Sequence, residues 1–366
     1  MNIGVPKEIA EFEKRVAATP ETVKKYIEAG ASVSVQQGAG EACFIQDKDY
    51  EASGASIESD VSKLYANSDL ILKVQRPHDE ELKLFKENSY LISFIQPLVN
   101  ADLVQQLADK KVNALSIDSV PRIARAQKLD ALSSQANVAG YKAVLLAANS
   151  LGKMMPLMMT AAGTVSAAKV FVIGAGVAGL QAIATAKRLG AVVEGYDTRP
   201  VVRDQVESLG AKFVELEIEE DTETEGGYAK ELSEEAKKQG QLLVEEHVIN
   251  ADIVITTAAI PGKKSPLLIN KETVQKMKQG AVIVDLAAEG GGNCELTEAG
   301  KEVVKHGVTL IGHTNVPSLI PAQSSQLYAR NVLSLFFEIY KAGNIEIDIN
   351  DEIVKGALVS WNGEKV

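Results

Sequence analysis

The sequence predicts an α/β protein of two Rossmann-like domains, each a doubly wound parallel sheet. The first domain is expected to be discontinuous, with long helices joining the domains and a cleft between them. Three observations predict this fold class. Strand-like and helix-like segments alternate along nearly the whole chain, a glycine turn separates one such pair at residues 169–179, and 366 residues is long for a single core. We expect residues 1–132 and 324–366 to form the first domain and residues 133–323 the second.

The first domain is expected to start with short apolar strands and to resume after the second domain. Strands are expected at residues 2–5, 32–35, 70–74 and 90–94, around a helix at about 20–29. Long helical patterns cover about 132–150 and 324–341, and segments 345–349 and 354–360 return the chain to the first domain. We therefore expect a long helix to begin at each of the two domain boundaries and to join the domains.

The second domain shows the same alternation. Strands are expected at residues 170–173, 192–196, 253–256, 282–286 and 309–311, with helices between them. Because parallel neighbours need a crossover helix, this order predicts a mostly parallel sheet with both faces covered.

The segment KVFVIGAGVAG, residues 169–179, has the layout of a dinucleotide-binding turn. Gly174 permits the tight turn from strand to helix, Gly176 lets backbone N–H groups approach a pyrophosphate, and Gly179 lets the helix pack closely on the sheet. The phosphates would lie at the positive end of a helix covering about 177–189. A lone glycine triplet can also be an ordinary turn.

An acidic residue completes the pattern, because Asp197 lies 18 positions after Gly179 at the end of the next strand. Its carboxylate would accept hydrogen bonds from the adenosine ribose and repel a 2′-phosphate, which favours NAD(H) over NADP(H). Arg199, two residues further on, weakens this preference for NAD(H) over NADP(H). A flavin or another adenosine ligand is the alternative.

Composition limits the classes of function. The chain is 46% hydrophobic and 24% charged, with a net charge of -11, which argues against nucleic-acid binding and against adhesion to anionic lipid. Cys43 and Cys294 are far apart, so we expect no disulfide framework and no thiolate metal site. We expect no secretory or membrane-inserted segment, no metal, and a cytoplasmic location.

Two further segments carry polar groups that invite a functional interpretation. Residues 215–225 contain seven acidic residues and precede Gly226-Gly227-Tyr228; this segment is either a solvated loop or a lid whose tyrosine closes on the ligand. Glu289, after a predicted strand, either edges the cleft or faces solvent.

The segment from Pro121 to Gln135 precedes the first long helix, at the expected domain junction. Arg122, Asp130 and Ser133 offer groups complementary to a nicotinamide carboxamide, and Gln127 adds an uncharged contact. The alternative is a helix N-terminal cap with surface ion pairs, in which Asp130 supplies the capping charge.

Motifs along essentially the whole chain resemble those of proton-translocating NAD(P) transhydrogenases, specifically the NAD(H)-binding, membrane-extrinsic portion of the alpha subunit, which is related to alanine dehydrogenase. The motifs that carry this resemblance lie at residues 4–8, 15–20, 73–77, 122–141, 172–179, 226–230, 256–263, 285–294 and 323–328. The junction motif and the Gly-Gly-Tyr segment are more specific than the glycine turn.

The resemblance implies an enzyme in which NAD(H) binds to this chain and NADP(H) to a separate beta component, with the proton path in a membrane-spanning component. It further implies a homodimer and a peripheral position at the inner face of the cytoplasmic membrane, through the partner subunits. The implied mechanism is hydride transfer between two nicotinamides, which requires no general base.

The resemblance also assigns site residues. It places Arg122, Gln127, Asp130 and Ser133 around the nicotinamide, with Gln127 positioning the ring. It places Ala175 to Val177 on the pyrophosphate, Asp197 on the ribose, and Gly227 and Tyr228 in a closing loop. The remaining implied cofactor-binding residues are Lys128, Leu129, Gly174, Gly179, Thr198, Arg199 and Ala259.

Alanine dehydrogenase is the nearest rival. Arg15 and Lys73 stand where that family binds the carboxylate and carbonyl of pyruvate, but Gln96 stands where it has a histidine, and an amide cannot shuttle a proton near neutral pH. We therefore favour structural or vestigial roles for Arg15 and Lys73, such as an ion pair. A non-catalytic NAD-sensing module is the third hypothesis.

Overall fold

The computed structural model describes residues 1–215, 234–260 and 262–366. The chain divides into two compact units, one formed by Met1–Gln135 with Pro317–Val366 and the other by Ala136–Val316. We call them unit 1 and unit 2. The first boundary falls within a 20-residue helix, Ala131–Ser150.

The N-terminal segment of unit 1 alternates strands with helices. Its strands are β1 (Asn2–Val5), β2 (Ser32–Gln36), β3 (Ser56–Glu58), β4 (Leu70–Leu72), β5 (Tyr90–Ser93) and β6 (Asn113–Ser116). Its helices are α1 (Pro20–Glu28), α2 (Asp47–Ala52), α3 (Val61–Asn67), α4 (Asp79–Leu82), α5 (Ala101–Asp109) and the start of α6 (Ala131–Ser150).

Unit 2 begins with the remainder of α6, continues with a hairpin and then alternates strands with helices again. Its strands are β7 (Met158–Thr160), β8 (Gly163–Val165), β9 (Lys169–Ile173), β10 (Val192–Tyr196), β11 (Lys212–Val214), β12 (Ile253–Thr256), β13 (Val282–Asp285), β14 (Glu302–Lys305) and β15 (Val308–Ile311). Its helices after α6 are α7 (Val177–Arg188), α8 (Arg203–Ser208), α9 (Glu234–Asn250) and α10 (Lys271–Lys276).

The C-terminal segment returns to unit 1. It contains α11 (Pro321–Ile339), β16 (Tyr340–Lys341), β17 (Asn344–Ile345), α12 (Glu352–Ala357), β18 (Leu358–Trp361) and β19 (Glu364–Lys365). The long helix starts slightly earlier than expected, because Pro321 sets the helical φ angle at its first turn. It also ends slightly earlier, because Tyr340 is already extended. Segment 354–360 is divided between α12 and β18.

The main sheets of the two units repeat one strand order. In unit 1 the described strands run β19-β18-β6-β5-β4-β1-β2-β3, and in unit 2 they run β11-β10-β9-β12-β13-β15-β14. From β3 to β6 and from β11 to β15 every neighbouring pair is parallel, so each sheet contains the doubly wound order 3-2-1-4-5-6. The predicted fold class of two Rossmann-like units is confirmed.

Both faces of each sheet are buried, which explains the continuous apolar runs in the sequence. Along β9, Val170 and Val172 pack into one core cluster while Phe171 and Ile173 pack into another. In unit 1, Leu70 and Leu72 similarly enter one cluster and Ile71 the opposite one. Among the described residues, none of the helices is both long enough and apolar enough to cross a membrane.

Candidate functional site

The glycine turn of unit 2 lies where the strand order of its sheet reverses, between β9 and β12. Ligands of open α/β sheets bind at this switch point, outside the carboxyl ends of the strands. Gly174 follows β9 with a φ of 96°, a left-handed conformation that disfavours a side chain. Gly176 then caps α7, and no side chain of the described residues bonds there as a cap. The first N–H groups of α7 therefore have no side-chain cap among the described residues, which is a feature of helix N-termini that bind anions.

The glycines have different surroundings. A Cβ on Gly179 would lie 1.7 Å from the carbonyl oxygen of Gly174, so this glycine is required for the helix to pack on the turn. A Cβ on Gly140 of α6 would lie 2.0 Å from the carbonyl oxygen of Ala178. A Cβ on Gly176, by contrast, would have no atom of the described residues within 4 Å. The space beside Gly176 is thus open to a ligand.

Asp197 lies immediately after β10 and is 8% exposed. Its Oδ1 accepts hydrogen bonds from the backbone N–H and Nε of Arg199, both at 2.9 Å. Its Oδ2 accepts from the N–H of Ala175 at 2.7 Å and from Nη2 of Arg199 at 2.9 Å. The carboxylate therefore ties the glycine turn to β10, and its four acceptor positions are filled within the chain.

The segment after β12 covers the turn from the other side of the switch point. The backbone N–H of Thr257 donates to the carbonyl of Ile173 at 2.9 Å, and its hydroxyl donates to the carbonyl of Gly174 at 3.1 Å. Ala259, two residues further on, is exposed. Gly227 and Tyr228, the expected closing loop, lie outside the described residues. Thr257 was missed in the sequence because a threonine after a strand is common.

The equivalent switch point of unit 1, between β1 and β4, is filled by a buried lysine and two acidic side chains. Lys73, fully buried, places its Nζ 3.2 Å from Oε2 of Glu8 and 2.6 Å from Oε1 of Glu81. Burial acts to lower the pKa of Lys73, but the charges of the two carboxylates raise it above its ordinary value. Glu8 also accepts from the N–H of Val74, which closes this edge of the sheet.

Arg15 also forms a buried ion pair with an acidic side chain. Its guanidinium is 3% exposed and forms two hydrogen bonds to Glu13, with Nε to Oε1 at 2.8 Å and Nη2 to Oε2 at 2.6 Å. Burial acts to raise the pKa of Glu13, but the hydrogen bonds and charge of Arg15 lower it to about 2. Nη1 of Arg15 donates to Gln135 at 2.8 Å. The ion pairs expected for Arg15 and Lys73 are both present.

The predicted nicotinamide residues lie in unit 1, around a 3-10 helix at Ala124–Leu129. Arg122 precedes this helix, and Gln127 and Lys128 lie within it. Asp130 follows it, and Ser133 lies in the first turn of α6. Gln127 and Lys128 are exposed, whereas Leu129 is 1% exposed and belongs to the core of unit 1. The side chain of Leu129 is therefore a packing element, so only its backbone is available to a ligand.

Asp130 makes the capping contacts that the alternative interpretation expected. Its Oδ1 accepts from the backbone N–H of Ser133 at 2.8 Å and its Oδ2 from the Ser133 hydroxyl at 2.6 Å. Both side chains are only partly buried. A capping role leaves both side chains able to bind a ligand, because each oxygen can accept a further hydrogen bond.

Two other residues that the sequence singled out, Arg122 and Glu289, are both exposed.

Comparison with known proteins agrees with this architecture. Residues 4–139 match the family description "Alanine dehydrogenase/PNT, N-terminal domain", and residues 143–366 match "Alanine dehydrogenase/PNT, C-terminal domain". The chain belongs to the alanine dehydrogenase/PNT family.

Individual relatives divide between the two branches of that family. The chain is 48% identical over 369 residues to "NAD(P) transhydrogenase subunit alpha" of Haemophilus influenzae, covering 100% of this chain and 72% of that one. A crystal structure of transhydrogenase from Sinorhizobium meliloti superposes with a TM-score of 0.88 at 41% identity, covering 100% and 99% of the two chains. An L-alanine dehydrogenase structure gives 0.84 at 25% identity, covering 100% and 97%. The predicted resemblance and the oxidoreductase class are confirmed.

Proposed function

We propose that this chain is the NAD(H)-binding component of a proton-translocating transhydrogenase. It transfers hydride between NADH and NADP+ bound to a partner beta component, and a separate membrane-spanning component couples this transfer to proton movement. The observation that carries the proposal is the glycine turn at the switch point of unit 2, where Gly176 leaves open space at a helix N-terminus that no described side chain caps. The subunit names of its relatives support the existence of partner chains.

In this proposal the chain's own groups bind and orient the coenzyme. The backbone of Gly174 to Val177 and Gly179 receives the diphosphate, Asp197, Thr198 and Arg199 receive the ribose, and Ala259 adds a contact. Arg122, Gln127, Lys128, Asp130 and Ser133 serve the nicotinamide end, with Leu129 contributing its backbone, and Gly227 and Tyr228 close the site. Because the four acceptor positions of Asp197 are filled, hydrogen bonds from the ribose to Asp197 would replace those that it accepts from the Arg199 side chain.

The proposed reaction requires no acid or base from the protein. When bound, the nicotinamide supplies the hydride transfer. Gln127 orients the ring and the closing loop excludes water, and no residue of the chain needs to accept a proton in that step. The proposal includes a homodimer held at the inner face of the cytoplasmic membrane by the partner subunits.

Alanine dehydrogenase activity is the alternative, and the geometry of unit 1 opposes it. A keto acid needs free cations, yet Arg15 and Lys73 are neutralised by the buried carboxylates of Glu13, Glu8 and Glu81. Gln96, which stands in place of the histidine, is exposed and accepts a hydrogen bond from Arg76. A non-catalytic NAD-sensing module is the third candidate. It differs from the other two candidates because it would transfer no hydride.

Coenzyme choice is tested by titrating the chain with NADH and with NADPH in a calorimeter, alongside Asp197→Asn. We expect the native chain to prefer NADH and the variant to bind NADH roughly 10- to 100-fold more weakly, because charge-assisted hydrogen bonds contribute about 1.5–3 kcal/mol. Asp204→Asn is the control, since Asp204 is exposed on α8 of the same unit. A preference of the native chain for NADPH would contradict the role of Asp197.

A further inference from the structure

A buried carboxylate organises the carboxyl edge of the sheet in unit 2. Asp285, at the end of β13, is 1% exposed. Its Oδ1 accepts from the hydroxyl of Thr256 at 2.9 Å, and its Oδ2 accepts from the N–H of Asn293 at 2.8 Å. Three more donors reach it, namely the N–H groups of Ala287 and Cys294 and the hydroxyl of Thr297. Asp285 thus fixes the segment that leads from β13 to Asn293.

Asn293 is fully buried, and its side chain connects this segment to the one that follows β12. Its Oδ1 accepts from the N–H of Ala258 at 3.1 Å, and its Nδ2 donates to the carbonyls of Ala258 and Pro266, both at 2.8 Å. Its own carbonyl accepts from the N–H groups of Leu268 and Ile269. One side chain therefore joins the point where the chain leaves β12 to the point where it returns toward α10.

The residue before Ala258 contacts the glycine turn. A Cβ on Gly174 would lie 2.4 Å from Oγ1 of Thr257, so these two residues are closely packed and there is no room for a side chain between them. A displacement of Ala258 moves Thr257, and Thr257 holds the carbonyls of Ile173 and Gly174. The contacts from Asp285 to Gly174 form one continuous series within unit 2.

We propose that Asn293, held by Asp285, is a positioning residue for NAD(H): it sets the backbone of Thr257 and Ala258 against the glycine turn, and so determines the affinity for the coenzyme without touching it. This inference rests on the proposed function of the glycine turn. It assigns a role to a pair of residues that the binding site itself does not use.

The test compares NADH affinity in Asn293→Asp and in the native chain at a temperature where both are fully folded. The substitution keeps the size and the oxygen that accepts from Ala258, but it removes the donor and turns a carboxylate oxygen toward two carbonyl oxygens. We expect NADH to bind roughly tenfold more weakly. Asn270→Ala is the matched control, because Asn270 caps α10 in the same unit through Thr273 alone among the described residues; it should lower the melting temperature and leave the affinity unchanged.

Asp285→Asn and the double variant complete a cycle. If Asp285 acts through Asn293, the loss of affinity in the double variant is smaller than the product of the two single losses. Should the Asp285 variant fail to fold, Asn293→Ala takes its place as the second measurement and must weaken binding in the same direction. The positioning role is overturned if Asn293→Asp binds NADH as tightly as the native chain, or if Asn270→Ala loses as much affinity for NADH as Asn293→Asp does. In either case the proposed function stands as long as the native chain binds NADH. A native chain that does not bind NADH overturns both.

Discussion

Replacing Gly176 with alanine is expected to weaken NADH binding by roughly 10- to 100-fold while the chain folds as before. The backbone there is extended, with φ of −75° and ψ of −169°, so alanine adopts it without strain. The added methyl group meets no described atom of the free chain but occupies the space that the diphosphate needs beside the α7 N–H groups. Calorimetric titration measures the affinity, and thermal unfolding checks the fold.

Gly152→Ala is the control for this substitution, because a Cβ on Gly152 also has no atom of the described chain within 4 Å. It should leave both the affinity and the melting temperature near their native values. If Gly176→Ala bound NADH as tightly as the native chain, the diphosphate would have to lie elsewhere, and the assignment of the turn would fail.

The largest effect on stability is expected for Lys73→Met. The substitution preserves most of the side-chain volume but leaves Glu8 and Glu81 facing each other in a buried site without a cation. Removing one partner of a buried ion pair costs about 3–5 kcal/mol in the free energy of unfolding. Denaturant unfolding measures this loss.

Lys25→Met provides the comparison on an exposed pair. Lys25 lies 3.5 Å from Glu21 on the surface of α1, and such pairs contribute at most about 0.5 kcal/mol. A triple variant, Lys73→Met with Glu8→Gln and Glu81→Gln, should recover part of the loss because it removes the unpaired charges. Equal stability of the Lys73 and Lys25 variants would show that the cluster is not a buried charge network.

Much of the fold was predictable because its strands are buried on both faces. Continuous apolar runs such as those of β9 and β13 mark central parallel strands, and the glycine turn marks the switch point. Strand β6 was not predicted, since Asn113 and Ser116 at its ends lack a strand pattern. Strand β14 was not predicted either, although it pairs with the next strand, β15, across a short turn. The antiparallel direction of β18 was not predicted, because it depends on pairing with β6, which is distant in the sequence.

The candidate site was predictable only in part. The positions of Gly174, Gly176 and Gly179 follow from a local pattern, and so does the position of Asp197. The engagement of Asp197 by Arg199 and the network around Asp285 and Asn293 depend on contacts between separate strand ends. One signal for that network was in the sequence: a polar residue, Asn293, follows three glycines and an acid that ends a buried strand. Glu289, the acid directly before those glycines, is exposed and takes no part in the network.

The central claim is hydride transfer from NADH on this chain to NADP+ on a partner. The direct measurement mixes the purified chain and NADH with the NADP+-loaded beta component of a transhydrogenase, and in a parallel reaction with pyruvate and ammonia. We expect NADPH to form in the first mixture and NADH to stay unoxidised in the second. Oxidation of NADH by pyruvate and ammonia, with no NADPH formed alongside the partner, would contradict the account.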